Sequence, residues 1–377
     1  MSDATARDWA VRGWCPDVWR PMMSGDGLLV RVKPKLGRLT RQQVLALCDA
    51  AGTWGNGLVD MTRRANLQIR GVAEAGWPAL LERLIAQGLV DADAAIEARR
   101  NVLVAPDWRV GDNSHRIVSE LLVRLRELPE LPGKTGFVVD AGPVRMLAAE
   151  PGDFRIERGE AGGLILRAEG RPCGVGVSPD REVDGLIALA RWFAESGGAS
   201  AGRMARHQAE LPAGLAGTCL PAPSAAPITP GTHALGAAYG TPFGRVDVRT
   251  LALASAPALR ITPWRVLLFE DTTLAPIDGL VDNPADPLLR VDACPGAPDC
   301  VQATVETRDL ARRLAPSIAV HLHVSGCEKA CARSRPADVT LTGRAGLYDL
   351  ALNAEAGSPP IRSALTGAEL LAHFGAA

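Results

Sequence analysis

Four cysteines near the C-terminus fall into two close pairs, Cys294 and Cys300 in CPGAPDC and Cys327 and Cys331 in SGCEKAC. Four thiolates are the ligand count of a [4Fe–4S] cluster, which needs sulfurs converging from several directions. Two short loops, each pinching two sulfurs together, supply that. The C-x5-C and C-x3-C spacings differ from the ferredoxin run C-x2-C-x2-C and from the C-x2-C pairs usual in structural zinc sites. On the residues alone, a zinc site and four unrelated buried thiols stay open as alternatives, because free Cys often serves as a small core hydrophobe. Cys15, Cys48, Cys173 and Cys219 are scattered singly and read as structural.

The formal net charge of −1 gives no reason to expect nucleic acid or membrane as a partner. No stretch approaches the roughly 18 apolar residues of a membrane span, and MSDATARDWAVRGWC lacks the apolar run of a leader. The reading is a cytoplasmic chain, a reducing setting in which eight cysteines argue for metal ligation over disulfides. Gly-rich pieces such as GVGVSPD do not form a dinucleotide fingerprint, so no NADH site is expected on this chain. Basic residues are nearly all Arg, and Lys33, Lys35, Lys134 and Lys329 stand out against them.

The elements that must position these groups follow from periodicity. GLLVRVKP alternates like a strand, a helix starts at Thr40 and stops at Gly52, GLVDMTRRANLQIRGV is strand-like, and a helix runs from Trp77 to Gln87. Strand, helix, strand, helix fits half of a ferredoxin-like α+β module. A looser echo follows His233, where Gly244-Arg245 and Thr262 answer Gly37-Arg38 and Thr62. The chain is therefore read as α+β with duplicated modules and a pseudo-twofold. The first module spans residues 14–88 and the first larger segment 89–210, followed by a Pro/Ala/Gly-rich linker at 211–231. The second module then spans 232–280 and the second segment 281–377. The first segment is expected to hold helices at His115–Leu128 and Val183–Glu195 and strands at Phe137–Val139 and Leu164–Ala168. The second is expected to hold a helix at Thr304–Leu314 and strands at Ala319–Val324 and Val339–Leu341.

Several motifs carry a resemblance to the sirohaem-dependent sulfite and nitrite reductases. The cysteine spacings match that family, in which the last cysteine also bridges the cluster to a tetrapyrrole. DMTRRANLQIRG resembles the family's arginine strand and puts Arg64 against the tetrapyrrole. EARRNVLVAP resembles its second arginine motif and does the same for Arg100. LPGKTGF resembles the segment L-P-x-K-x-K, whose two lysines protonate an oxyanion; the first falls on Lys134, and Gly136 stands where the second would be. Within the family, RPMMSGDGLLVRVKP, GNGLVDMTRRANLQIRGV, LPGKTGFVVD, ITPWR and HVSGCEKAC resemble the precorrin-3B synthases of the aerobic cobalamin pathway, from about Trp14 to about Leu350.

That resemblance implies a monooxygenase which hydroxylates precorrin-3A at C20 with O2 and closes a ring A acetate onto C1 as a γ-lactone. It implies a [4Fe–4S] cluster on Cys294, Cys300, Cys327 and Cys331, and electrons from NADH through a partner reductase. Arg64, Arg100 and Lys134 would serve as catalytic and substrate-binding residues, guanidinium suiting the macrocycle's carboxylates. Arg265 joins them by symmetry, as the arginine of the second T-x-x-R strand. The resemblance also allows a separate mononuclear non-haem iron for O2, with His321 and His323 as the nearest candidates by spacing. Asp140 could orient a donor, although Asp before a turn is common. The alternative is an assimilatory reductase carrying sirohaem, which the missing second lysine opposes. A third reading, an electron carrier, leaves the arginine strands unexplained.

Overall fold

The computed structural model describes residues 16–376. Its centre is a pair of five-stranded antiparallel sheets that exchange a strand. The first contains Met22–Ser24, Gly27–Val32, Leu67–Val72, Leu58–Met61 and, from the far half of the chain, Arg245–Asp247. The second contains Gly231–His233, Gly236–Gly240, Val266–Glu270, Ala258–Ile261 and, from the near half, Arg38–Thr40. Each exchanged strand follows a tight turn with a residue of positive φ, Leu36 in one copy and Phe243 in the other.

Period-two alternation decides what each sheet face does. In the first sheet Val30, Ile69, Val59 and Val246 form one cross-strand row, and all are buried. The helix Arg41–Trp54 also contributes to their core; Thr40 caps it through a capping box with Gln43. This helix runs past the expected stop at Gly52, and Gly55 forms its C-cap. The same core takes in Tyr239, Leu259 and Phe269 of the second sheet, so the two modules share one interior.

The opposite row of the first sheet is Arg31, Gln68, Asp60 and Arg245. Its equivalent in the second sheet lies 200 residues later, where Arg260 pairs in register with Leu268 as Asp60 does with Gln68. The charges there are reversed. Arg245 donates to Asp60 at 2.8 Å, with Arg70 on the other side of the carboxylate at 3.5 Å. Arg38 forms two 2.8 Å bonds to Glu270, with Arg260 on its other side at 2.5 Å. In each copy the arginine of the exchanged strand thus reaches a buried carboxylate of the sheet that receives it.

Two outer sheets repeat a second topology. One is ordered Val175–Val177, Leu164–Ala168, Phe154–Arg158, Phe137–Asp140, Val102–Val104; the other is Arg362–Leu365, Leu347–Ala354, Ala337–Arg344, Leu322–Ser325, Val291–Ala293. In both, the last three strands are parallel and the remaining pairings antiparallel. Each has its own apolar core.

Several element boundaries differ from expectation. GLVDMTRRANLQIRGV is a hairpin of two strands, because Thr62 and Ala65 close a turn. The helix expected over His115–Leu128 is Asn113–Val123, its start set by the Asp112 cap. The helix expected from Thr304 begins at Arg308, since the Thr304 and Thr307 polar groups are tied to the cysteine loops. The strand expected over Ala319–Val324 is Leu322–Ser325.

Removing Glu270 would leave two guanidinium groups without their carboxylate, one of them buried. Glu270→Ala should therefore lose about 3–5 kcal/mol of stability, the scale for breaking a buried ion pair from one side. Urea unfolding measures it.

Candidate functional site

Cys294 directly follows the strand Val291–Ala293, and its Sγ accepts the Gly326 N–H at 3.2 Å. A backbone bond joins the two cysteine loops, and a side-chain bond braces each loop from within. Thr304 N–H donates to Gly326 O at 2.9 Å, Thr307 Oγ1 to Cys294 O at 2.6 Å, and Ser325 Oγ to Cys327 O at 2.7 Å. Burial raises the Cys327 thiol, and it raises Cys331 to about 11, with the other sulfurs adding to both shifts. Cys294 and Cys300 on the first loop therefore both lie within electrostatic reach of Cys327 and Cys331 on the second.

Among the described residues no group of three or more His, Cys, Asp or Glu side chains is arranged to hold a single metal ion. A cubane makes a different demand, since each thiolate binds its own iron and the ligands stand apart around the cluster. Four coupled thiols on two loops, with a backbone N–H already donated to one sulfur, fit that donor set. Cys48 is buried, Cys173 half-buried and Cys219 exposed, each away from these loops in sequence; Cys15 lies outside the described residues.

Arg64 and Lys134, 70 residues apart, are brought together: Arg64 Nη2 donates to Lys134 O. Thr62 Oγ1 shapes the Arg64 turn by accepting N–H from Arg64 and Asn66. The second turn repeats this with Thr262 Oγ1 and Trp264. The symmetry that suggested Arg265 therefore places Trp264, not Arg265, at the position of Arg64. Trp264 Nε1 donates to Glu150, which also pairs with Arg63 at 3.4 Å, joining the two turns. Arg265 instead binds Asp292 and Val291 O at the strand leading into Cys294.

Arg100 is sequestered, its side chain 3% exposed and bound to Glu97 at 2.8 Å and to Leu89 O at 2.9 Å. Only Nη2 makes those contacts; Nε and Nη1 of Arg100 are buried without a hydrogen-bond partner. The same Glu97 holds Lys33, whose Nζ donates to Glu97 O at 2.7 Å and lies 3.9 Å from the carboxylate. Burial pushes the Lys33 ammonium down, with Glu97 opposing. Lys33 is a cation that the sequence reading left without a role, and its scarcity among arginines was the available signal.

His321 Nε2 lies 2.6 Å from Asp292, and Arg333 lies 3.2 Å from the same carboxylate. Burial would raise Asp292, but the His321 hydrogen bond and the Arg265 and Arg333 charges hold it well below the usual carboxylate range. His323 is fully buried, which lowers its pKa to about 4. His321 is engaged by Asp292 through Nε2 alone, and both ring nitrogens of His323 are buried without a hydrogen-bond partner. Asp140 does not orient Lys134. It accepts the Met146 and Leu147 N–H groups, the shorter at 2.7 Å, and so fixes the loop after its own strand.

Gly136 is enclosed. A Cβ there would meet Asn101 Nδ2 at 2.9 Å and Asn101 O at 3.0 Å, while the Gly136 N–H donates to Asp153 at 3.0 Å. A lysine at this position has no room unless Asn101 moves. Two surface depressions, one around Arg41, Asp49 and Arg83 and the other around Tyr239, Phe269 and Thr272, share no residue with any of these groups. Among the described residues no helix is long and apolar enough to cross a membrane.

Known proteins resemble this chain in sequence and fold. The nitrite/sulfite reductase ferredoxin-like half domain matches residues 20–87. A precorrin-3B synthase from Sinorhizobium is 32% identical over 93% of this chain and 84% of its own length. A ferredoxin–nitrite reductase from Synechococcus elongatus is 34% identical over 25% of this chain and 18% of its own. Among solved structures, the NirA protein of Mycobacterium tuberculosis superposes with a TM-score of 0.56 at 17% identity, covering 91% of this chain and 78% of that one, and so shares the fold. The chain belongs to the precorrin-3B synthase family, oxidoreductases built on the nitrite/sulfite reductase fold.

Proposed function

We propose that this enzyme hydroxylates precorrin-3A at C20 and closes the ring A acetate onto C1 as a γ-lactone, giving precorrin-3B. One atom of O2 enters the product and the other leaves as water, with two electrons from NADH delivered by a partner reductase and two protons from solvent. Support comes from the family relationship and from the enclosed Gly136. A reductase of the sirohaem type uses a pair of lysines to hold and protonate an oxyanion, and here the second has no space. The sirohaem-carrying reductase therefore stays the weaker reading.

Cys294, Cys300, Cys327 and Cys331 would hold a [4Fe–4S] cluster, which supplies one-electron transfer when bound. The chain's own residues do the recognition. Arg64 presents a planar fork to a macrocycle carboxylate, with its orientation set by the Thr62 turn and by Lys134 O. Lys134 is a compact cation beside it, suited to anchoring a second acid group. Arg100, held on Glu97 through Nη2, keeps Nε and Nη1 unpartnered for a substrate acid group.

Nitrite and sulfite reduction with a strong artificial donor should be negligible, even with sirohaem offered, because losing one such donor typically costs on the order of 10²–10³ in rate. Gly136→Lys should not restore it. Turnover near that of a true reductase by the unaltered protein would contradict this proposal. Each of Cys294→Ala, Cys300→Ala, Cys327→Ala and Cys331→Ala should lower iron per chain, and Cys173→Ser and Cys219→Ser should not; iron and sulfide analysis decides. If Arg64 grips a carboxylate, Arg64→Ala should weaken precorrin-3A binding by roughly 1.5–3 kcal/mol, read by fluorescence quenching.

A further inference from the structure

The polar face of the first sheet ends beside the cysteine loops, and its charges are not all satisfied. Arg70 is matched by Asp26, with two bonds of 2.9 Å. Arg245 spans Asp60 at 2.8 Å and Asp299 at 3.3 Å. Arg308, the first residue of the helix Arg308–Leu314, has among the described residues only the Asp60 carboxylate as an ion-pair partner, 3.9 Å away and already engaged by Arg245 and Arg70. Nε and Nη1 of Arg308, Nη2 of Arg245 and Nε of Arg31 are buried without a hydrogen-bond partner. A buried charged donor left unmade is expensive, so these groups point to an absent anion.

Their placement narrows what that anion is. Asp299 adjoins Cys300, and the Gly25 backbone packs so closely on Asp299 and Val301 that a Cβ there would meet them at 2.8 and 2.9 Å. Thr307, the residue before Arg308, donates its hydroxyl to Cys294 O at 2.6 Å. Neighbouring guanidinium forks with free N–H groups match the two oxygens of a carboxylate. A single sulfur offers no such paired acceptor.

We propose that Arg308 and Arg245, with Arg31 along the same row, form a carboxylate pocket that takes one acid side chain of a tetrapyrrole and sets that edge of the macrocycle against the cysteine loops. The assignment rests on the tetrapyrrole reading above and adds residues that no motif indicated. Arg308 is here a substrate-binding residue, with the Asp60 carboxylate fixing the direction of Arg245 toward it.

The test uses metal-free sirohydrochlorin, an eight-carboxylate tetrapyrrole, with the cluster-loaded protein kept anaerobic and binding followed by fluorescence quenching. Arg308→Met should weaken binding about 10- to 100-fold, the range for one charged hydrogen-bonding group. Arg308→Lys should recover only part of it, since an ammonium keeps the charge without the fork. Iron per chain and thermal midpoint, checked in both variants, establish that the loss is not one of folding. Wild-type affinity in Arg308→Met, with the wild type itself binding well, would overturn the pocket and leave the tetrapyrrole reading standing. Unchanged affinity with an altered cluster EPR signal would also overturn it, by making the cluster the counter-ion. Failure of the wild type to bind sirohydrochlorin would sink both.

Discussion

The rest of the structure depends on one constraint: a carboxylate buried in each central sheet that must be met by an arginine from the opposite half of the chain. Asp60 needs Arg245, and Glu270 needs Arg38. Neither module can bury its own acid with this partner unless the two strands cross over. Because a charge desolvated without its counter-ion costs several kcal/mol, the exchange also ties the halves together energetically. The apolar rows behind the ion pairs, Val30 to Val246 and Ala237 to Leu39, then merge into one core.

The functional geometry follows from that exchange. Bringing Arg245 into the first sheet brings its loop and Asp299 with it, and so carries the first cysteine loop onto the sheet's arginine face. In the other copy the reach comes from a different strand: Arg260, at the position of Asp60, donates to Pro106 O and Trp108 O, tying down the loop after Val102–Val104. Equivalent loops thus meet the polar faces of the two sheets through different strands, and only one loop bears cysteines. On the proposed reading, one half of the duplicated scaffold would hold the metal cluster and the other, around Arg64, Lys134 and Gly136, would fit the ligand.

Much of this was legible in the sequence because the signals were local. The cysteine spacings, the Thr40 cap and the Gly37-Arg38 and Gly244-Arg245 echo are patterns within a few residues, and the duplicated α+β fold follows from them. What was hidden was pairing at long range. Nothing near Arg245 announces that its partner is Asp60, and Arg308 looks like any first-turn arginine until the sheet face beside it is assembled. Arg265 was suggested by a loose string likeness between TRRA at Thr62 and TPWR at Thr262, yet the hydrogen bonds of the turn align Trp264 with Arg64. Arg100 kept its motif, but burial on Glu97 was not readable from EARR. Whether Gly136 was merely a missing lysine or a filled position could be decided only with Asn101 in place.

The central claim, that this scaffold grips a tetrapyrrole as substrate and oxygenates it, is tested most directly by isotope labelling. Precorrin-3A would be incubated with the cluster-loaded enzyme, an electron donor and heavy-isotope O2, and the product analysed by mass spectrometry. The account predicts one heavy oxygen in each product molecule, located at C20, and none when the label is supplied as water. A product that carries no label from O2, or a macrocycle recovered unchanged while O2 is consumed, would contradict it.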